Sequence, residues 1–297
     1  MPEKSFLSRI INNEHLVADG ATGSNLIARG LPSGLSAESW VLEQPEQIIH
    51  LHKDFISVGA EIILTSTFGA SSIRLKGSRL EGKVDQINRK AVELAKDAVY
   101  GTQTYIAGSL GPVGQLLIPY GPLTFDEVQE AYAEQARALS ESGADLLVIE
   151  TQFDMAEIKA AIYGARSVSE LPLVVSLSYD RGVRTMMGLS PTQAAKELEK
   201  LPVEIIGINC GRSLEENLRN LVDLRQVTSK SIWFKPNAGL PHIDIQGKTV
   251  YETTPELMGE QVHAWLDAGA LIIGGCCGTS PDHLKEISIH AKSYKDS

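Results

Sequence analysis

Short apolar runs alternate along the chain with longer stretches in which apolar positions return at helical spacing. The runs predict eight strands: Leu16–Ala18, Glu61–Thr65, Thr104–Ala107, Leu146–Ile149, Leu173–Leu177, Ile205–Ile208, Ser231–Phe234 and Leu271–Ile273. They are rich in leucine and β-branched residues with little polar alternation, as expected of parallel strands covered on both faces. Between them, Ile48, Leu51, Phe55 and Val58 line one helical stripe; Val128, Tyr132, Gln135 and Leu139 line another, interrupted only by Gln135. Helix starts are marked by the capping-box spacings Thr124 to Glu127 and Ser213 to Glu216, and by Ser190-Pro191, Thr254-Pro255 and Ser280-Pro281. Gly59-Ala60-Glu61, Gly143-Ala144-Asp145 and Gly269-Ala270-Leu271 each stand between a helical stripe and a strand, where a left-handed glycine ends the helix.

Strand and helix patterns alternate with no proline- or serine-rich linker and no charge block, which predicts one α/β domain over residues 1–297, a single (β/α)8 TIM barrel. Two doubly wound halves are the competing architecture. The first turn, Asp19-Gly20-Ala21-Thr22-Gly23, lacks the G-x-G-x-x-G spacing that such a dinucleotide fold uses at its pyrophosphate. A formal charge of −10 argues against a nucleic-acid partner, because binding to phosphate backbones needs clustered cations. The start of the chain shows neither a signal-peptide core nor a spanning segment, so a soluble cytoplasmic protein without a membrane partner is expected.

Polar and reactive residues collect just beyond the predicted strands, the face on which barrel enzymes carry their active sites. All three cysteines of the chain lie there: Cys210 after the sixth strand, and Cys276 and Cys277 after the eighth. Three thiolates can hold one zinc ion and leave a fourth position open. Glycines 274, 275 and 278 would let the backbone turn both neighbouring sulfurs to one centre. Two other readings stay open, a strained vicinal disulfide between Cys276 and Cys277, or inert thiols beside a glycine turn. A zinc ion with three thiolates is a weak Lewis acid toward water, but it can keep a fourth thiol ionised for attack on an electrophilic carbon. Thiol alkylation therefore suits this donor set better than hydrolysis.

Asp19 and Glu150, each beyond a strand end, can receive a substrate ammonium, or can instead cap helices and pair with lysines. The amides of Gly20, Ala21 and Thr22 are candidates for a substrate carboxylate. Trp40 is placed in the loop after the first strand, as a wall of the pocket or as packing. A non-catalytic thiol- or zinc-binding module is the alternative to an enzyme.

Asp19-Gly20-Ala21-Thr22-Gly23, Thr65-Ser66-Thr67-Phe68-Gly69, Glu150-Thr151, Gly207-Ile208-Asn209-Cys210, Lys235-Pro236-Asn237-Ala238-Gly239 and Gly274-Gly275-Cys276-Cys277-Gly278-Thr279 together resemble the homocysteine S-methyltransferase family over nearly the whole chain. Within it the sequence looks nearest to the homocysteine-binding module of cobalamin-dependent methionine synthase. The resemblance implies zinc on Cys210, Cys276 and Cys277, homocysteine's ammonium at Asp19 and Glu150, and Asn237 as a replaceable fourth ligand. It further implies methyl transfer to homocysteine, giving methionine. The stretch Phe68-Gly69-Ala70 lacks the tyrosine that betaine-dependent members carry after the second strand, which argues against betaine as donor. No Asp-x-His-x-x-Gly corrinoid motif occurs, so methylcobalamin would have to arrive on a separate protein, with S-methylmethionine or another small donor as the alternative. With no long C-terminal arm, a monomer or loose dimer is expected.

Overall fold

The computed structural model describes residues 2–32, 34–243 and 249–294. Its strands are β1 Leu16–Val17, β2 Ile62–Leu64, β3 Tyr105–Leu110, β4 Leu146–Gln152, β5 Leu173–Leu177, β6 Ile205–Cys210, β7 Ser231–Pro236, β8 Pro241–Ile243, β9 Thr249–Tyr251 and β10 Ile272–Ile273. Eight of them form a parallel sheet in the order β1-β10-β7-β6-β5-β4-β3-β2. A parallel bridge between Ala18 and Ile62, with Glu61 N donating to Val17 O and Asp19 N to Ile62 O, brings the two ends of the sheet together. The result is the (β/α)8 barrel expected from the alternation.

The strand ends differ from the sequence reading in an informative way. Strands β3, β4, β6 and β7 run on to Leu110, Gln152, Cys210 and Pro236, past the last residue of each apolar run. Ladder pairing continues there because the polar side chains turn into the barrel mouth. The antiparallel hairpin of β8 and β9 was not expected, since its short strands carry no apolar run.

Side chains inside the barrel stack in two kinds of layer. Leu16, Ala18, Ile62, Leu64, Tyr105, Ala107, Leu146, Val148, Val174, Ile205, Trp233 and Ile272 form one buried apolar cluster. Helix Phe6–Ile11 closes it at the opposite end from the mouth, where Phe6 packs edge-on against Tyr105 at 5.6 Å and the Tyr105 hydroxyl donates to Lys4 O at 2.8 Å. Successive side chains of a strand alternate faces, so the next inner side chains toward the mouth are Ser109, Glu150, Ser176, Asn209 (beyond Gly207) and Lys235, all buried. An apolar floor thus gives way to a polar layer within one strand period.

The helical stripes pack outside the barrel as anticipated. Gln135, the polar interruption, is fully buried and donates from Nε2 to Thr67 O at 2.7 Å and Ser109 O at 3.2 Å, holding carbonyls at the strand ends. Gly59, Gly143 and Gly269 have φ of +112°, +93° and +92°, confirming the three helix stops. The Thr124 capping box is reciprocal, whereas Ser213 accepts from Glu216 N without the return bond. Trp40 lies on helix Ala37–Glu43, buried in the core, instead of in a loop.

Gly207 shows how tightly the interior is filled. A Cβ added there would stand 2.2 Å from Trp233 O and 2.7 Å from Trp233 Cβ. Gly207→Ala is therefore expected to lower stability by about 3 kcal/mol in urea unfolding, and a loss below about 1 kcal/mol would show that the two strands can part freely.

Candidate metal and substrate site

Cys210 ends β6, and Cys276 and Cys277 follow β10, so the three meet across the intervening β7. All three are free thiols, Cys277 exposed and the others half-buried. Cys210 and Cys276 sulfurs are 2.9 Å apart, and all three lie within 4.8 Å of one another. That spread brackets the roughly 3.8 Å edge of a tetrahedron with 2.3 Å metal–sulfur bonds. The vicinal-disulfide reading is not realised.

Backbone geometry makes the convergence possible. Cys210 would face away from the barrel by strand periodicity, but it sits at φ +59°, turning the chain at the rim. Across the mouth, Thr151 has φ +60°, an uncommon conformation for a β-branched residue. Asn209 joins the two turns. Its Oδ1 accepts from Thr151 N at 2.8 Å and Ser176 Oγ at 2.7 Å, while Nδ2 donates to Thr151 Oγ1 at 2.7 Å and faces the sulfurs of Cys210 and Cys276 at 3.7 Å each.

Asn237 braces the cysteine loops from β7. Its Nδ2 donates to Gly211 O at 2.8 Å and its Oδ1 accepts from Cys277 N at 2.9 Å. Both ends of the amide are thus engaged in bracing the two cysteine loops.

The thiols resist sharing one charge state. Hydrogen bonds from Cys210 and Cys276 pull Cys277 down to about 4. Cys276 is drawn down by Cys210, but Cys277 and burial outweigh this and push it up to about 12. Cys210 is raised too, by its bonds to Cys276 and Cys277 and by burial. One thiolate is stable here and three repel, so the cluster is suited to a divalent cation that offsets the surplus.

Below the sulfurs lies an ion pair. Lys235 Nζ meets Asp19 Oδ1 at 2.5 Å, both groups buried, and Asp19 Oδ2 accepts from Leu64 N at 2.8 Å. Burial alone would lower the Lys235 value, but attraction to Asp19 and Glu150 raises it, so the ammonium persists. Each Asp19 oxygen thus already accepts one hydrogen bond from the chain itself. Glu150 Oε1 accepts from Ser109 Oγ at 2.5 Å. Burial pushes Glu150 up to about 7, with Lys235 opposing and the Cys276 charge adding.

The amides of the first turn divide. Ala21 N donates to Thr279 O and Thr279 Oγ1, both at 3.1 Å. Gly20 packs against Phe55, whose ring a Cβ would meet at 2.7 Å, and Thr22 opens helix Thr22–Ala28, which has no side-chain cap.

Sequence reasoning assigned no role to Lys235, Asn209 or Tyr251. The first two are inner-face positions by strand period, a signal available once strand ends are known. Tyr251 comes from β9; its half-buried ring lies on Gly278, where a Cβ would be 2.3 Å from Tyr251 Cγ, and burial followed by the cysteine charges lifts its hydroxyl to about 12.

Fold and site together define an α/β-barrel with a three-cysteine centre at the C-terminal mouth of its strands. Residues 16–290 match the homocysteine S-methyltransferase family, and the chain belongs to it. The metallated form of the homocysteine methyltransferase MmuM from Escherichia coli is similar at 26% identity, over 93% of this chain and 96% of that one, with a TM-score of 0.79. Its apo form matches at 26% identity over 98% and 100%, with a TM-score of 0.75. A methyltransferase from Methanosarcina mazei, 13% identical over 94% of both chains with a TM-score of 0.63, shares the fold.

The Glu150 environment fixes the sign of a pH effect. With the folded carboxyl held near 7 and the unfolded one near its ordinary value, stability is fullest below about pH 4.5 and falls as pH rises toward 7. The loss is at most roughly 3 kcal/mol. In metal-free protein, Glu150→Gln is expected to remove this decline from urea unfolding between pH 4.5 and 7; equal slopes in both proteins would place the Glu150 value at its ordinary level.

Proposed function

We propose that the protein transfers a methyl group from an external donor to the sulfur of homocysteine, forming methionine, with zinc held by Cys210, Cys276 and Cys277. The observation that carries the reading is three free thiols within 4.8 Å of one another directly above a buried carboxylate layer. Bound zinc would supply one thing, the ionisation of a substrate thiol whose ordinary value of about 8.5 leaves it mostly protonated at neutral pH.

The chain's own residues do the rest. Glu150 receives the homocysteine ammonium, and Lys235 pairs with Asp19, opposing the burial that raises the Asp19 carboxyl and limiting the negative charge beside Glu150. Gly20 and Thr22, at the uncapped start of helix Thr22–Ala28, face the substrate carboxylate. Asn209 and Asn237 hold the cysteine turns, and Tyr251 covers the outer side of the cluster. A centre of unpaired thiols suits the reducing cytoplasm, and no helix among the described residues is long and apolar enough to cross a membrane.

A methylcorrinoid carried by a separate protein is the first reading of the donor. A small methyl donor such as S-methylmethionine is the second, since the sequence holds no Asp-x-His-x-x-Gly corrinoid motif. Incubation with homocysteine and each donor in turn, scoring methionine, separates these readings, and a pure binding module would form none.

About one zinc per chain is expected by metal analysis, and Cys276→Ala should lose both metal and methionine formation; full turnover by a metal-free variant would overturn the mechanism. Glu150→Gln is expected to raise the KM for homocysteine by roughly tenfold or more, the effect of a lost bond to a charged group, with a smaller change in kcat. An unchanged KM would remove Glu150 from the ammonium site.

A further inference from the structure

A centre that alkylates a thiolate faces a selectivity problem, because the protein's own cysteine sulfurs stand beside the incoming one. Asn209 is placed to solve it. The residue is fully buried on the inner face of β6, below the rim. Its amide orientation is forced: Thr151 N–H can only donate, so the atom 2.8 Å away must be Oδ1, which also accepts from Ser176 Oγ. The NH2 group is then left to Thr151 Oγ1 and to the sulfurs of Cys210 and Cys276, both at 3.7 Å. Thr151 Oγ1 itself lies 4.0 Å from the Cys210 sulfur.

We propose that Asn209 is a positioning residue that steers the methyl group to homocysteine, by donating N–H bonds that damp the nucleophilicity of Cys210 and Cys276. An N–H directed at a thiolate stabilises charge on that sulfur and holds back its lone pair. Asn209 reaches Cys210 and Cys276 from the inner face of β6, so the damping falls on these two of the protein's three cysteine sulfurs. The positive φ of both Thr151 and Cys210 is explained by the same bonds, since Asn209 ties one turn to the other. The inference rests on the metal-centre reading above.

Two measurements test it. In protein loaded with cadmium-113, the Asn209 side-chain protons are expected to show scalar coupling to the metal through sulfur. A cadmium-loaded protein without that coupling overturns the proposal, while failure to bind cadmium or zinc at all overturns the metal-centre reading instead. The second measurement treats zinc-loaded wild type and Asn209→Leu with methyl iodide, where a sulfur–carbon bond forms, the carbon–iodine bond breaks and iodide leaves. Peptide mass analysis should show methylation at Cys210 and Cys276, relative to Cys277, rising about tenfold in the variant, as expected for loss of one charge-assisted hydrogen bond. An unchanged ratio overturns the proposal, and should the variant lose its metal, the coupling in wild type decides.

Discussion

The barrel mouth is organised around a buried cation. Lys235 stands at the inner face of β7 with Asp19 at 2.5 Å, Glu150 nearby and the Trp233 ring 5.7 Å from Nζ. Burial raises both carboxyls in so dry a space, and the ammonium opposes it. The ion pair is not free stabilisation, because taking both charges out of water costs much of what their attraction returns. Its value lies in direction: Asp19 also accepts from Leu64 N, so one carboxylate links the end of β1 to β2 and β7. The strands whose meeting completes the barrel are joined at the level where the site begins.

That arrangement divides labour between two carboxylates that look alike in sequence. Asp19 accepts from Lys235 and from Leu64 N, whereas Glu150 has one oxygen on Ser109 and is lifted by burial to about 7. Under the proposed reading of Glu150 as the ammonium site, an arriving cation would favour release of its proton, so that binding and ionisation reinforce each other. The same lysine opposes the burial that raises both carboxyls.

The fold was legible because parallel strands buried on both faces write themselves as apolar runs, and helix stops require glycine at positive φ. The three cysteines and Glu150 were legible for the same reason, as residues just beyond those runs. The pairing of Asp19 was not legible because its partner lies 216 positions away. No local pattern shows that Lys235 enters the barrel until β7 is known to continue past Phe234. The bracing by Asn237 was hidden likewise: its amide bonds to Gly211 and Cys277 exist only once β6 and β10 flank β7. The β8–β9 hairpin escaped because its pairing is antiparallel, short and largely exposed.

Parity explains why the site has both order and strain. Glu150 and Asn209 keep the two-residue period and point inward with the floor beneath them. The next residue of each strand, Thr151 and Cys210, would by the same rule face the helices, and both break the rule at φ near +60°. A one-residue slip of β6 would carry Asn209 outward and leave the amide oxygen and nitrogen without Thr151, Ser176 or the sulfurs. The register of β6, from Ile205 opposite Ser231 to Cys210 opposite Pro236, is secured on one side by the fit of Gly207 against Trp233. The sulfur position is therefore set from below: a glycine in the apolar layer makes room for tryptophan, that fit holds the strand, and the strand presents the asparagine that turns the cysteine to the rim.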